Sequence, residues 1–288
     1  MLVNARMALS SALIGLPGAS GPSGAKYDAA AAGCGRHGGA GHVMFPVANG
    51  VPLRYLPIAT WALIATNAVV FLFEVSLSPS ELNEFLYSFA LVPARYFDSG
   101  MFDSSLSLTD YLPFVSNMFL HGGWLHLIVN MWTLWLFGRA VEDQLGSGRY
   151  LAFYFACGIL ASVTYAVLNP NSTVPALGAS GAIAGILGCY MRFFPFSRIV
   201  VLIPILFIPL FFEVPAMLFA GLWFLFQTLG AVVDWSTPLA SGGIAWWAHI
   251  GGFIAGVILA GPLRPPRRRQ WPRDVDGGIP GFALSGIA

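Results

Sequence analysis

Three apolar stretches of this 288-residue sequence each carry side chains that could do acyl-transfer chemistry. "LGASGAIAGILG" (177–188) holds Ser180 among glycines and alanines, "FLHGGWLHLIVNMWTLWLFG" (119–138) holds His121, His126 and Asn130, and "IAWWAHIGGFIAGVILAG" (244–261) holds His249. A serine hydroxyl is a weak nucleophile until a neighbouring base takes its proton, and the oxyanion formed on attack needs a hydrogen-bond donor. Serine, histidine and a side-chain amide supply those three parts. Taken singly, each has an ordinary reading: a membrane serine bonds back to a backbone carbonyl, a helix histidine makes an interhelical contact, and Gly-x-x-x-Gly spacing signals packing. Chemistry requires that the fold bring them together.

The elements that must do so are membrane helices. Hydrophobic residues make up 57% of the chain and charged residues 9%, with a mean hydropathy of +0.72, which excludes an ordinary soluble protein. A span needs about 20 mostly apolar residues, because the hydrocarbon core is about 30 Å thick. Six runs qualify: 57–77, 120–140, 150–169, 175–194, 213–233 and 245–263. "IVVLIPILFIPLFF" (199–212) contains Pro204 and Pro209, which argue against a seventh straight helix, so it is read as an interfacial or re-entrant connection.

Net charge is +1 and says nothing about partners, but the distribution of arginines orients the chain. Arg54, the pair Arg139 and Arg149, the pair Arg192 and Arg198, and Arg264, Arg267, Arg268, Arg269 and Arg273 fall on alternate connections. The positive-inside rule places those connections and both termini in the cytoplasm. The second, fourth and sixth runs then descend from the outer face, and Asn130, Ser180 and His249 each sit one or two turns below it, at roughly 8–15 Å depth. His126 and Asn130, four residues apart, share a helix face. So do His249, Gly252 and Gly256, and so do Gly181, Gly185 and Gly188, a pattern of small residues that lets helix backbones approach closely in lipid.

Outside this membrane domain (51–263), residues 1–50 are too poor in large apolar groups to order and are expected to be disordered. "MFPVANGVPLRYLP" from Met44 reads as an alternative start, in preference to a secretory signal in the first twenty residues. Cys34, His37 and His42 lie in the glycine-rich tail without metal-type spacing, and Cys157 and Cys189 sit in apolar runs, so no disulfide, metal or cofactor enters this reading. Residues 264–288 form a basic cytoplasmic tail suited to anionic headgroups.

The residues resemble the rhomboid family of intramembrane serine proteases. "GASGAIAG" around Ser180 is similar to the family's nucleophile motif, "HGGWLHLIVN" to its HxxxN element at His126 and Asn130, and "AHIGGFIAG" to its HxxGxxxG element at His249, Gly252 and Gly256. "GRAVEDQLGSG" is similar to a GxxxExxxG stretch at Gly138, Glu142 and Gly146, and "FALVPARYF" resembles the family's first outer loop. The resemblance implies an all-α bundle of six transmembrane helices that cleaves transmembrane segments of other proteins within the bilayer of a bacterial inner membrane. Nucleic acid has no place in it, and the oligomeric state is left open. It implies Ser180 as nucleophile, His249 as base, and Asn130 and His126 with the Ser180 backbone N–H as oxyanion donors, with Gly181, Gly185, Gly252 and Gly256 packing the helices. A dyad without a third acid agrees with the sequence, since Asp234 is the only acid in the connection before His249.

Two positions depart from the family pattern: Leu112-Pro113 stands where many rhomboids have Trp-Arg, and Ala184 where many have a tyrosine stacked on the catalytic histidine. Trp246 or Trp247 could supply that aromatic wall. The polar stretch "NPNSTV" (169–174) could admit water, and the first outer loop (78–115) and the fifth helix, with Pro215, Trp223 and Phe226, are candidate gates. The competing readings are a catalytically silent rhomboid-like protein that binds transmembrane helices and a transporter. Retention of serine, histidine and Asn130 argues against the first, and the lack of any mid-membrane carboxylate beyond Glu74 near an outer helix end and Glu213 near an inner one argues against the second.

Overall fold

Lipid offers no hydrogen bonds, so an apolar chain must satisfy its backbone internally, and most of this one does so as helix. A computed structural model describes residues 45–97, 107–205, 208–236 and 245–263. In chain order they form β1 (Phe45–Asn49), α1 (Ile58–Ser76), α2 (Pro79–Phe89), α3 (Ala94–Phe97), α4 (Pro113–Ser116), α5 (Trp124–Thr133), a π-helical segment (Leu134–Gly138), α6 (Arg139–Leu145), α7 (Ser147–Leu168), α8 (Ser180–Phe193), β2 (Arg198–Ile205), β3 (Ile208–Pro215), α9 (Ala216–Ser236) and α10 (Trp246–Leu263). Among the described residues α1, α7, α9 and α10 are each long and apolar enough to cross a membrane, and a fifth crossing arises if residues 108–119 and 124–145, bent by 81°, count as one. The protein is therefore a mainly helical, integral, multi-pass membrane protein.

The helices differ from the hydropathy runs where the site is built. The run at 120–140 becomes helical only at Trp124, leaving His121 before it, and continues through the π segment to Leu145. Of the run at 175–194, only the 14 residues of α8 are helical. At about 1.5 Å per residue that helix measures about 21 Å, shorter than the hydrocarbon core.

The largest correction concerns residues 199–212. The expected interfacial or re-entrant connection is an antiparallel hairpin, β2 pairing β3 from Arg198↔Pro215 to Ile205↔Ile208. β1 adds to it in the order β1-β2-β3. The prolines that disfavour helix are tolerated in this ladder by position. Pro204 faces Pro209 beyond the reach of β1, which pairs only as far as Leu202, and Pro46 sits on the edge strand beside a register shift. Ile199 and Val201 alternate inward to the core. Two boundaries move accordingly: Glu213–Pro215 belong to β3 rather than to the fifth helix, and Phe45–Asn49, inside the segment expected to be disordered, is a strand. Residues 1–44 with Cys34, His37 and His42, and the tail from 264, lie outside the described residues.

α8 is the centre of the bundle, with every residue from Gly181 to Tyr190 buried, Cys189 among them, and Cys157 buried on the neighbouring α7. Its glycines meet those of α10 backbone to backbone. A Cβ on Gly252 would strike the Gly181 carbonyl, one on Gly256 the Gly185 carbonyl and Cα, and one on Gly188 would reach the Phe253 carbonyl at 2.5 Å.

At the other end of the bundle a carboxylate takes the place of a helix cap. α1 begins after Pro57 with no side-chain cap of its own. The buried Glu142 instead accepts from Ala59 N and Thr60 N, both at 2.8 Å, from Thr60 Oγ1 at 2.7 Å and from Ser147 Oγ at 2.6 Å. Asp143 Oδ1 accepts from Arg54 N at 2.9 Å and Tyr55 N at 2.8 Å. An anion at a helix N-terminus satisfies orphan N–H groups and favours the dipole. Glu142→Ala is expected to leave buried donors unpaired and to cost at least about 3 kcal/mol, read as a lower midpoint of thermal unfolding in detergent.

Candidate active site

Ser180 is the first residue of α8, and an irregular segment carries the chain down to it. Several backbone groups of that segment are engaged sideways: Ala94 N donates to Ser172 O at 3.0 Å, Leu91 and Ala176 exchange bonds at 3.0 and 2.8 Å, and Gly178 N donates to Asn117 O at 2.8 Å. The segment "FALVPARYF" and the turn before α5 thus hold the stretch of chain that leads to Ser180. Gly178 itself has φ +127°, a left-handed conformation that favours glycine.

Ser180 Oγ lies 2.8 Å from His249 Nε2. His249 is in the first turn of α10, half-buried, and its second nitrogen, Nδ1, meets Gln227 Oε1 of α9 at 2.7 Å. Aromatic rings flank it: Trp223 of α9 with centroids 5.9 Å apart at 41°, and Trp246 of α10 at 6.5 Å and 84°. Ala184 is fully packed in the core and contributes no ring. The wall around the histidine comes instead from α9 and α10.

His126 faces the same space from α5. A Cβ built on Gly178 would lie 2.9 Å from His126 Nε2 and 3.6 Å from Ser180 Oγ, so ring and hydroxyl border one small volume. His126 Nδ1 accepts from Gly122 N at 3.4 Å, which assigns the ring proton to Nε2, on the side of the serine. His121 stacks edge-on against His126, centroids 5.1 Å apart, while its backbone N–H donates to the buried Glu74 carboxyl group at 3.2 Å. One turn along α5 from His126, Asn130 is buried, and among the described residues its Nδ2 has no hydrogen-bond partner. The arrangement is a base on a hydroxyl, with N–H donors of His126 and Asn130 left over.

Beside Ser180 opens a cavity with room for about one water molecule, lined by Asn117, Ser162, Tyr165 and Gly178 among others. Asn117 Nδ2 donates to Ser162 Oγ at 3.0 Å, so one wall of the cavity is polar. Gln227, Asn117 and Ser162 are absent from the sequence reading. Each is a lone polar residue in an apolar helix or at its edge, the same property that drew attention to Asn130. Trp223, read there as a gate residue, lies against His249, whereas Phe226 is 57% exposed.

A family model described as the rhomboid domain matches residues 109–266. The chain belongs to the rhomboid family. It is 32% identical over 158 residues to rhomboid protein 1, mitochondrial, of Saccharomyces cerevisiae, covering 52% of this chain and 41% of that protein. It is 47% identical over 72 residues to rhomboid protease GluP of Bacillus subtilis, covering 25% and 14%, and 28% identical over 189 residues to the mitochondrial presenilin-associated rhomboid-like protein of Bos taurus, covering 61% and 45%. The rhomboid described here thus spans less than half the length of each of these relatives. Relatives named as mitochondrial stand beside bacterial ones, so a multi-pass membrane location is supported and a bacterial inner membrane is not.

The turn before the serine is open to test. Gly178→Ala combines a left-handed φ with a Cβ 2.8 Å from the His126 ring, and is expected to cost about 1–3 kcal/mol. Gly148→Ala, whose Cβ meets nothing within 4 Å, should leave thermal unfolding unchanged or raise it slightly.

Proposed function

We propose that this rhomboid is an intramembrane serine endopeptidase that cuts transmembrane segments of other membrane proteins. The observation that carries the reading is the 2.8 Å contact between Ser180 Oγ and His249 Nε2, at the end of a helix in the middle of the bundle. His249 takes the serine proton as Ser180 attacks a peptide carbonyl. The tetrahedral intermediate collapses to an acyl-enzyme, with the histidine returning the proton to the leaving amine, and water then releases the acid product. The oxyanion is met by Asn130 Nδ2, His126 Nε2–H and the Ser180 N–H, and the polar cavity beside the serine supplies the hydrolytic water. Gly181, Gly185, Gly252 and Gly256 hold the two reacting helices in register.

Within this proposal α5 with its continuation and α8 complete a six-helix bundle, and the arginine distribution favours cytoplasmic termini. A short α8 suits the reading, because it lets the serine lie below the membrane surface while an irregular segment opens the site to water. A substrate helix must unwind locally to expose a carbonyl, and α9 and the first outer loop are the elements that would yield to it. A silent helix-binding relative needs neither a histidine aligned on a serine nor a buried, unpaired amide donor on α5.

A serine-reactive fluorophosphonate should label the wild type and neither Ser180→Ala nor His249→Ala. Cleavage of a single-span reporter should vanish with Ser180→Ala, and wild-type cleavage by that variant would exclude the mechanism. Asn130→Ala should lower turnover by about 10²–10³ while leaving the thermal midpoint within a degree or so of wild type, because no folded-state bond from its Nδ2 is lost among the described residues.

A further inference from the structure

A histidine base works in one tautomer only: Nε2 can accept the serine proton when the ring's own proton sits on Nδ1. The imidazole can also turn about its terminal torsion, which is broad, unless a partner fixes it. In this chain the two nitrogens of His249 are held from opposite sides, Nε2 by Ser180 Oγ at 2.8 Å and Nδ1 by Gln227 Oε1 at 2.7 Å. We propose that Gln227 is the positioning residue of the site, its side-chain carbonyl accepting the Nδ1 proton of His249 and thereby fixing both the ring's direction and the tautomer that makes Nε2 basic. The inference rests on the protease reading.

Several features of the surroundings favour it. Gln227 is only 8% exposed, so water does not compete for its carbonyl. Trp223, one turn earlier on the same face of α9, lies against the imidazole and limits its swing. A neutral acceptor also suits the setting. A carboxylate at this depth would add a buried charge that His249 neutralises only while protonated, whereas an amide dipole serves both forms of the ring. During attack the serine proton moves to Nε2 and the Nδ1–H stays on Gln227 Oε1, so Gln227 itself exchanges no proton.

The test uses the full chain, purified in detergent, with the single-span reporter and ¹⁵N-histidine NMR. Gln227→Leu keeps the shape and removes the acceptor. Gln227→Glu keeps an acceptor oxygen at the same reach in either protonation state. Gln227→Leu should lower kcat by about 10²-fold with KM little changed, Gln227→Glu should recover most of that loss, and the wild-type His249 spectrum should show the Nδ1–H tautomer, giving way to a mixture in Gln227→Leu. Wild-type kcat in Gln227→Leu, equal loss in both variants, or an Nε2–H tautomer in the wild type would each overturn the role. Should Gln227→Leu not fold, Gln227→Glu and the wild-type tautomer decide it. A wild type that neither cleaves nor labels overturns the protease reading instead, and the tautomer still reports whether Gln227 orients the ring.

Discussion

The approach of α8 to α10 is the contact on which the rest of the site depends. In lipid the hydrophobic effect does not drive helices together, so association relies on close packing, and glycine is the residue that permits it. Gly181 and Gly185 present bare backbone to Gly252 and Gly256, closely enough that a single methyl group on either α10 glycine would strike an α8 carbonyl. Ser180 precedes the first of these glycines by one residue, and His249 precedes Gly252 by three. The spacing of Ser180 and His249 is therefore set by four residues that carry no side chain.

That contact fixes where α8 lies, but not where it starts. Non-helical backbone at membrane depth must find its hydrogen bonds in protein. The segment before Ser180 finds them on Leu91, Ala94 and Asn117. The loop between α1 and α5 thus acts as a scaffold for the segment that leads to Ser180. At the far end of the bundle Glu142 does the corresponding work for α1, collecting its first N–H groups, the hydroxyl of Thr60 on α1 and that of Ser147 on α7. Irregular or terminal backbone is bound in both places by groups distant in sequence.

What was legible in the sequence follows from cost. Ser180, His126, Asn130 and His249 stand out because polar groups are expensive in an apolar run, and the glycine spacing stands out because only packing rewards it. The hairpin at 198–215 was not legible. Its strands are as apolar as a span, and prolines exclude helix without specifying strand, so only pairing with Phe45–Asn49 and with each other reveals it. Gln227 escaped for a different reason. Periodicity on α9 shows which face it shares with Trp223, but not that this face meets His249, 22 residues away across a connection of unrelated length. Ala184 pointed to a missing aromatic wall; the structure builds one from Trp223 and Trp246, which no spacing rule ties to Ser180.

The distance between Ser180 and His249 and the direction of the imidazole consequently have different sources. The separation of Ser180 and His249 is locked by the close glycine backbone contact between α8 and α10. The direction of the imidazole is held by Gln227 and Trp223 on α9, the least buried of the four long helices. A displacement of α9 large enough to loosen its face would free the imidazole of His249 before it altered the spacing of α8 and α10. Helix packing alone therefore does not orient the imidazole. It places His249 within reach of Ser180, and under the proposed mechanism the neighbouring helix α9 determines which nitrogen faces the hydroxyl.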